Sequence, residues 1–447
     1  MFCERVSASV GREYCRYLVP ALGATLSTSF YLFADTVMVG HRLGGEALAA
    51  LNVMVPLEFA CFAVGAWLGN GGAIGVTRSQ GNGALAVARG VWRTLELAVA
   101  FAVLSWPVGV GAMLVLVYGV LGADAPPSLT AAALDYGRWI ALGSPCFVLG
   151  AVLPPLLRHT GAPRRAMGAV VCGGVANIAL DWLFLYPLGW GIGGAAVATV
   201  LGSALSVGVM LPQVLEWLTV GGFRACSAQR WRSYGSILHT GAGAFLQELS
   251  GCVTFLLFNH FLLARFGEVG VILYTIPANV SLVAMALFNG VAHAAQPMVA
   301  HFCQSGARMQ LRQVLRLSGW TALGMGTVMG VYGCWMPEHL IALFLDGPTA
   351  SALPPQAYGA IAVALAALPI TSLVHLRVFQ LPALGRASEG ALFSCLRNGA
   401  LSLPLAWLLA RLVGPWQLWW CFLLADLLIL LCLPLPSVRA ELSGSAR

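Results

Sequence analysis

Long apolar stretches recur along almost the whole chain, and they constrain the fold more than any other feature. A helix needs about 20 mostly apolar residues to cross the hydrocarbon core of a bilayer. Twelve such stretches are separated by clusters of glycine, proline and arginine. Of the 447 residues, 59% are hydrophobic and only 9% are charged, which excludes both a soluble globular protein and a disordered chain. The sequence predicts an all-α integral membrane protein with twelve transmembrane helices.

The predicted spans are residues 15–39, 48–72, 91–119, 131–157, 166–186, 193–216, 236–264, 272–300, 314–344, 357–381, 391–412 and 416–434. The arginines predict how these spans are oriented. The chain has no lysine, so all 24 basic residues are arginine. If the N-terminus is cytoplasmic, Arg42, Arg138, Arg265 and Arg411 lie on the outer side and the other 20 on the cytoplasmic side. This asymmetry follows the positive-inside rule and predicts that both termini are cytoplasmic.

A weak internal repeat appears at half the chain length. At an offset of 223 residues, 83–93 and 306–316 share the pattern Gly-x5-Arg-x3-Arg, each in the loop after the second span of its half. The repeat predicts two pseudo-symmetric six-helix lobes, residues 1–223 and 224–447, around a central cavity near the bilayer midplane. Such an arrangement is typical of a transporter that alternates access between the two sides.

Acidic side chains inside the spans are the sharpest local signals, because a carboxylate in hydrocarbon is costly unless it faces a cavity or a partner. Asp35 lies in the first span and Asp181 in the fifth. Asn177 precedes Asp181 by one helical turn, and Thr199 lies in the sixth span. Together they offer hard oxygen ligands that suit a proton or a small alkali cation. A structural polar network that joins the helices explains the same residues equally well.

Other residues within the predicted spans are weaker candidates for a functional role. Glu248 in the seventh span is a candidate acid of the second half, and Asp426 in the last span is expected to pair with an arginine such as Arg397. Glu58 in the second span is left without an assigned role. Pro20, early in the first span, frees a backbone carbonyl and allows a bend.

Motifs for nucleotides, nucleophilic catalysis and metals are absent from the sequence. A Walker loop needs a lysine, and no GxSxG occurs. The 12 cysteines form no CxxC pair, and the arginines form no continuous patch for nucleic acid. We therefore expect no cofactor and no metal other than a coupling ion, H⁺ or Na⁺. The expected partners are small organic substrates and the lipid bilayer.

Several stretches of the chain resemble the multidrug and toxic compound extrusion (MATE) family. The first acid and the loop after it stand in FADTVMVGHRLGGEALAALNVMVP at 33–56, and the most specific match is NIALDWLFLYPLGWGIGGAAVATVLG at 177–202. FLQELSGCVTFLLFNHFL at 245–262 resembles the second half of the family. The resemblance implies secondary active efflux, in which amphipathic organic cations are exchanged for H⁺ or Na⁺.

The resemblance also implies roles for individual residues. It assigns cation coupling to Asp35, Asn177, Asp181 and Thr199. Tyr136, at the start of the fourth span, would be a neighbour of the substrate site, and Pro20 would be the proline that bends during exchange. The tenth span has no acid, which leaves a second-lobe cation site around Glu248 incomplete.

Two other cargoes stay open at this point. One is a lipid-linked sugar, moved by a flippase of the same wider superfamily, and the other is an endogenous metabolite. A membrane-embedded enzyme would need a reactive histidine near its substrate and would not need a half-length repeat. We expect a monomeric cation-coupled antiporter, not an enzyme, in the plasma (inner) membrane of a bacterium.

Overall fold

The computed structural model describes residues 10–120, 126–221, 230–344, 356–413 and 415–433. Within these ranges all regular secondary structure is helical. The six helices of the first half are α1 Val10–Leu43, α2 Gly45–Ser79, α3 Ala84–Val115, α4 Pro127–His159, α5 Pro163–Leu185 and α6 Gly191–Gly221. They correspond one by one to the first six predicted spans.

The second half contains longer and shorter helices. They are α7 Arg230–Gln304, α8 Arg308–Trp335, α9 Pro337–Phe344, α10 Gln356–Ala366, α11 Leu368–Gln380, α12 Ala387–Cys395, α13 Ser402–Leu412 and α14 Trp420–Cys432. A π-helical segment, Leu396–Ala400, joins α12 to α13. The tenth predicted span is thus formed by α10 and α11, and the eleventh by α12 and α13.

Helix α7 is continuous where the sequence predicted a loop. Its 75 residues cover the seventh and eighth predicted spans and the 265–271 segment between them. Arg265 and Gly267 suggested the loop, but arginine is a good helix former and the prolines of α7 lie elsewhere, at Pro277 and Pro297. Each span needs about 20 residues, so the 75 residues of α7 are enough for both predicted spans.

Nine helices among the described residues are long and apolar enough to cross a membrane. They match the first six predicted spans and the eighth, tenth and eleventh. A shorter apolar helix, Gln417–Cys432, lies at the twelfth predicted span. The membrane-spanning character predicted from the sequence is confirmed for these segments.

The chain divides into two compact units, of which the first contains Cys15–Glu248 and the second contains residues 10–14 together with the chain from Leu249 onwards. Each unit has its own apolar core. In the first, α4 contacts α2, α3, α5 and α6, and it contributes fully buried side chains such as Ile140 and Phe147. Large apolar side chains are also exposed on the outer faces of the helices, among them Trp106 on α3. Such a surface suits contact with lipid.

The boundary between the units lies later in the chain than the predicted lobe boundary after residue 223. The physical reason is that the first turns of α7 pack against α2 and α3. The Trp67 indole N–H donates to the carbonyl oxygen of Leu238 at 2.7 Å, and the Tyr234 hydroxyl donates to Glu96 at 2.6 Å.

Two glycines allow α2 and α7 to cross at very short range. A Cβ atom on Gly71 would lie 2.1 Å from the carbonyl oxygen of Ile237. A Cβ atom on Gly241 would lie 1.9 Å from the carbonyl oxygen of Trp67. Both distances are far below van der Waals contact, so the crossing requires glycine on each helix.

Candidate cation site in the first unit

Three acidic side chains from three helices meet inside the first unit. They are Asp35 on α1, Glu58 on α2 and Asp181 on α5, and their exposed fractions are 6%, 7% and 0%. The charge of Asp35 lies close enough to interact with those of both Glu58 and Asp181. A group of buried carboxylates is stable only when a proton or a cation compensates its charge.

Neutral oxygen ligands complete this cluster. The Asn177 side-chain amide donates to the Thr199 hydroxyl at 3.4 Å, and Thr199 in turn donates to the carbonyl oxygen of Ala195 at 3.1 Å. Tyr136 of α4 is buried, its hydroxyl interacts with Thr199, and it lies within reach of the charges of all three acids. The structure therefore brings together the four residues predicted for cation coupling, with Tyr136 beside them.

Several oxygens of the cluster have no hydrogen-bond partner among the described residues. They include both carboxylate oxygens of Asp181, Oδ1 of Asp35, Oε1 of Glu58 and Oδ1 of Asn177. An unpartnered buried polar group is destabilising by about 1–3 kcal/mol, so native proteins rarely keep one without a reason. A structural network of fully paired side chains would not leave these oxygens free.

Small residues bring the helices of the cluster close together. A Cβ atom on Gly202 of α6 would lie 2.9 Å from the Cβ of Asn177, and one on Gly173 of α5 would lie 2.6 Å from the carbonyl oxygen of Gly202. Because α5 and α6 approach so closely, the Asn177 amide reaches Thr199. The glycines of the sequence thus determine where the polar groups meet.

Glu58 is a site residue to which the sequence analysis gave no role. Tyr31, one turn before Asp35 on α1, is another, because it interacts with the charges of Glu58 and Asp35. The signal for Glu58 was present, since it is an acid deep in an apolar span like Asp35. The sequence gives no comparable signal for Tyr31, because a tyrosine in a membrane span can face either the lipid or the interior of the protein.

The remaining predicted residues lie outside this cluster. Glu248 is half-buried on α7 at the end of the first unit, and no interaction with Asp35, Glu58 or Asp181 is found among the described residues. Pro20 is buried within α1, which stays helical across it. Its bend during transport stays a prediction.

The metal prediction concerns an alkali ion only. Within the described ranges, no group of three or more His, Cys, Asp or Glu side chains is arranged to hold a metal ion. The cluster combines carboxylate, amide and hydroxyl oxygens, which is the chemistry of a proton or an alkali cation and not of a soft transition metal.

In the second unit, Asp426 pairs with Arg397, as the sequence predicted. The Arg397 Nε lies 3.3 Å from Asp426 Oδ1. The Arg397 side chain is only 11% exposed, and the carboxylate of Asp426 compensates its charge inside the unit.

Comparisons with known proteins agree with this architecture. The MatE family model matches residues 20–183. A probable multidrug resistance protein NorM of Thermotoga maritima is 23% identical, over 76% of this chain and 73% of its own length. A solved structure of a MATE in the straight conformation covers 98% of this chain and 97% of its own, with 20% identity and a TM-score of 0.84.

The chain is similar to MATE family transporters, in sequence to the family model over residues 20–183 and in fold over nearly its whole length. Its fold is the twelve-helix, two-lobe fold of the solved MATE structures, and the resemblance noted from the sequence is confirmed. The relatives differ in what their names say they carry. A protein of Shewanella oneidensis named as an FAD transporter is 26% identical to this chain, over 77% of the chain and 76% of its own length.

Proposed function

We propose that this protein is a MATE family transporter that exports amphipathic, mostly cationic organic compounds in exchange for H⁺ or Na⁺, by alternating access. The observation that carries the proposal is Asp181, which is fully buried beside the charge of Asp35, with no basic side chain acting on it among the described residues. A carboxylate in this state needs a proton or a cation. An ion that enters and leaves such a site can drive transport.

The coupling follows from charge compensation. With an ion bound, the charges of Asp35, Glu58 and Asp181 are partly neutralised and α1, α2 and α5 can stay packed together. When the ion leaves, repulsion among the acids favours a different arrangement of these helices. Coupling requires that ion and substrate each bind the two arrangements with different affinity. For Na⁺, Asn177 and Thr199 supply two further oxygen ligands.

The cargo class is supported by the relatives and by the site chemistry. A multidrug resistance protein is among the relatives, and the acidic cluster attracts cations rather than anions. A second cargo, an endogenous metabolite, is supported by the relative named as an FAD transporter. Flavin nucleotides are anionic, so the two cargoes are distinguishable by charge.

The cellular setting belongs to the same proposal. The protein would work as a monomer in the plasma (inner) membrane of a bacterium, with both termini in the cytoplasm. The arginine asymmetry of the sequence supports this orientation. With the cytoplasm on that side, export consumes an inward ion gradient.

The test uses purified protein in liposomes loaded with a fluorescent organic cation, with a pH gradient or a Na⁺ gradient imposed separately. We expect one of the gradients to drive export, and we expect Asp181→Asn and Asp35→Asn to abolish it while the protein stays folded. The exposed acid Glu46, substituted as Glu46→Gln, is the matched control and should transport normally.

Gradient-driven export at the normal rate by both aspartate variants would contradict the proposed coupling site. The same liposomes loaded with FAD test the second cargo. Gradient-driven movement of FAD without movement of the organic cation would replace the first cargo with the second.

A further inference from the structure

A second polar cluster lies inside the second unit, at the corresponding spans of its half. The cluster consists of Asn289 on α7, Thr371 and His375 on α11, Arg397 in the π-helical segment, and Asp426 on α14. These residues belong to the second, fourth, fifth and sixth spans of the second half. In the first unit the same four spans contribute Glu58, Tyr136, Asn177 with Asp181, and Thr199.

The two clusters differ in how the carboxylate is compensated. In the second unit, Arg397 lies 3.3 Å from one oxygen of Asp426, and the Thr371 hydroxyl donates to the other. Both members of the ion pair are nearly buried, with exposed fractions of 11% and 7%. In the first unit, no arginine charge acts on Asp35, Glu58 or Asp181 within the part of the chain described.

The backbone directly after Arg397 departs from helical geometry. Asn398 has φ −90° and ψ 33°, and Gly399 has φ 145°, which interrupts the helix between α12 and α13. Only glycine adopts such a φ without strain. Broken helices occur at membrane depth where they are enclosed by protein, and in transporters they form ion and substrate sites.

Apart from Asp426, the hydrogen-bond acceptors of the Arg397 guanidinium among the described residues are either weak or at long distance. Its Nη1 lies 3.4 Å from the side-chain oxygen of Asn398, and its Nη2 lies 3.8 Å from the Met285 sulfur. A thioether is a poor acceptor and carries no charge. Asp426 is therefore the group that keeps the guanidinium in the second unit, and the guanidinium is the cation that Asp426 requires.

We propose that Arg397 is a built-in cation of the second unit, which does there what the exchangeable coupling ion does in the first. This inference rests on the proposed function and extends it. Because the guanidinium is covalently attached, it cannot leave, and the second unit stays neutral throughout the cycle. Coupling ions are then carried by the cluster of Asp35, Glu58 and Asp181 alone.

The proposal predicts a specific chemical consequence of substituting Arg397. In Arg397→Gln the carboxylate of Asp426 would lose its counter-ion while it stays buried. It would then have to take up a proton or a Na⁺ ion from the medium. Removing the carboxylate as well, in Arg397→Gln with Asp426→Asn, abolishes the need for any cation. Arg397→Lys keeps the positive charge and serves as the matched control.

The experiment measures cation binding in a background without the first site, Asp35→Asn with Glu58→Gln and Asp181→Asn. Purified protein is tested for binding of radioactive Na⁺ and, with a pH indicator, for proton uptake. His375→Gln is included in the background and in every variant, because the protonation of His375 responds to the charge of Arg397 and would otherwise be counted as uptake by Asp426. We expect no Na⁺ binding and no extra proton uptake in the background or with Arg397→Lys, one cation per protein with Arg397→Gln, and none when Asp426→Asn is added.

Two results would overturn the proposal. One is cation binding in the background that Asp426→Asn abolishes while Arg397 is intact, because the second unit would then have an exchangeable site. The other is folded Arg397→Gln protein that takes up neither cation. If Arg397→Gln does not fold, the neutral pair Arg397→Gln with Asp426→Asn is placed in the otherwise unchanged chain, where an unaltered ion-to-substrate ratio is expected and a lower ratio contradicts the proposal.

Failure of the proposed function is detected by a different measurement, made on the unsubstituted protein. That function fails if the unsubstituted protein binds no cation that depends on Asp35 or Asp181. The role of Arg397 is judged only by what its substitution adds to the background. The two outcomes therefore cannot be confused.

Discussion

Gly71 of α2 and Gly241 of α7 press so closely on each other's helix that neither position has room for a Cβ atom. The indole of Trp67 donates to the Leu238 carbonyl at the same crossing, which ties the two helices together by a hydrogen bond as well as by contact. In the predicted topology this crossing lies towards the cytoplasmic ends of the second and seventh spans. The first turns of α7 are thereby part of the first unit.

We expect Gly241→Ala to destabilise the protein by about 1–3 kcal/mol, because the added methyl group overlaps the Trp67 carbonyl oxygen and forces the helices apart. A lower apparent Tm of the detergent-solubilised protein measures this. Gly235→Ala is the control on the same helix, since a Cβ atom there meets nothing within 4 Å. Equal Tm values for the two variants would show that the crossing tolerates a larger separation.

Much of the first unit was predictable because polar groups are so rare in its helices. An acid in an apolar span must face inward, which is enough to select Asp35 and Asp181. The amide and hydroxyl beside them, Asn177 and Thr199, lie on the fifth and sixth spans, and the four residues lie near one another in the structure. The family resemblance pointed to the same set.

The parts that could not be predicted depend on which way a helix faces. The same rule predicts that Glu58 faces inward, but the sequence does not say that this face of α2 turns towards α1 rather than towards another helix. It places Arg397 near a span end, where an arginine normally reaches water, and does not show the break at Asn398 and Gly399 that keeps it inside. It marks 265–271 as a loop by composition, although nothing in that segment prevents a helix.

Glu58 is expected to take part in coupling although the sequence analysis gave it no role. In Glu58→Gln the cluster loses one of its three charges, so the ion is held less tightly, and we expect the half-maximal concentration of the driving ion to rise about tenfold, which corresponds to about 1.4 kcal/mol. Export rate as a function of ion concentration in liposomes is the measurement. An unchanged dependence would remove Glu58 from the coupling site.

Thr199 provides a way to identify the coupling ion. Thr199→Val has nearly the same shape and lacks the hydroxyl oxygen, whereas Thr199→Ser keeps that oxygen. For Na⁺ coupling we expect the valine variant to need about tenfold more ion and the serine variant to behave like the unsubstituted protein, because Na⁺ depends on oxygen ligands. For H⁺ coupling both variants should keep their ion dependence. Impaired coupling in the serine variant alone would contradict a ligand role for the hydroxyl.

The predicted orientation can be tested at two exposed loop positions. Gly81 lies in the turn between α2 and α3, and Leu188 lies in the turn between α5 and α6. In a cysteine-free version of the protein, a membrane-impermeant maleimide should label Leu188→Cys in intact cells and Gly81→Cys only after the membrane is opened. The reverse pattern would place the arginine-rich loops outside and overturn the topology.

The complete burial of Asp181 has a consequence for the energy supply of the cell. If Asp181 holds the proposed coupling ion, that ion has no open path to either side, so its arrival and its departure would each wait for helices to separate. The turnover rate would then be limited by how often α5 and α6 separate at Gly173 and Gly202. Between those events ions would not leak across the membrane through a transporter that is not turning over.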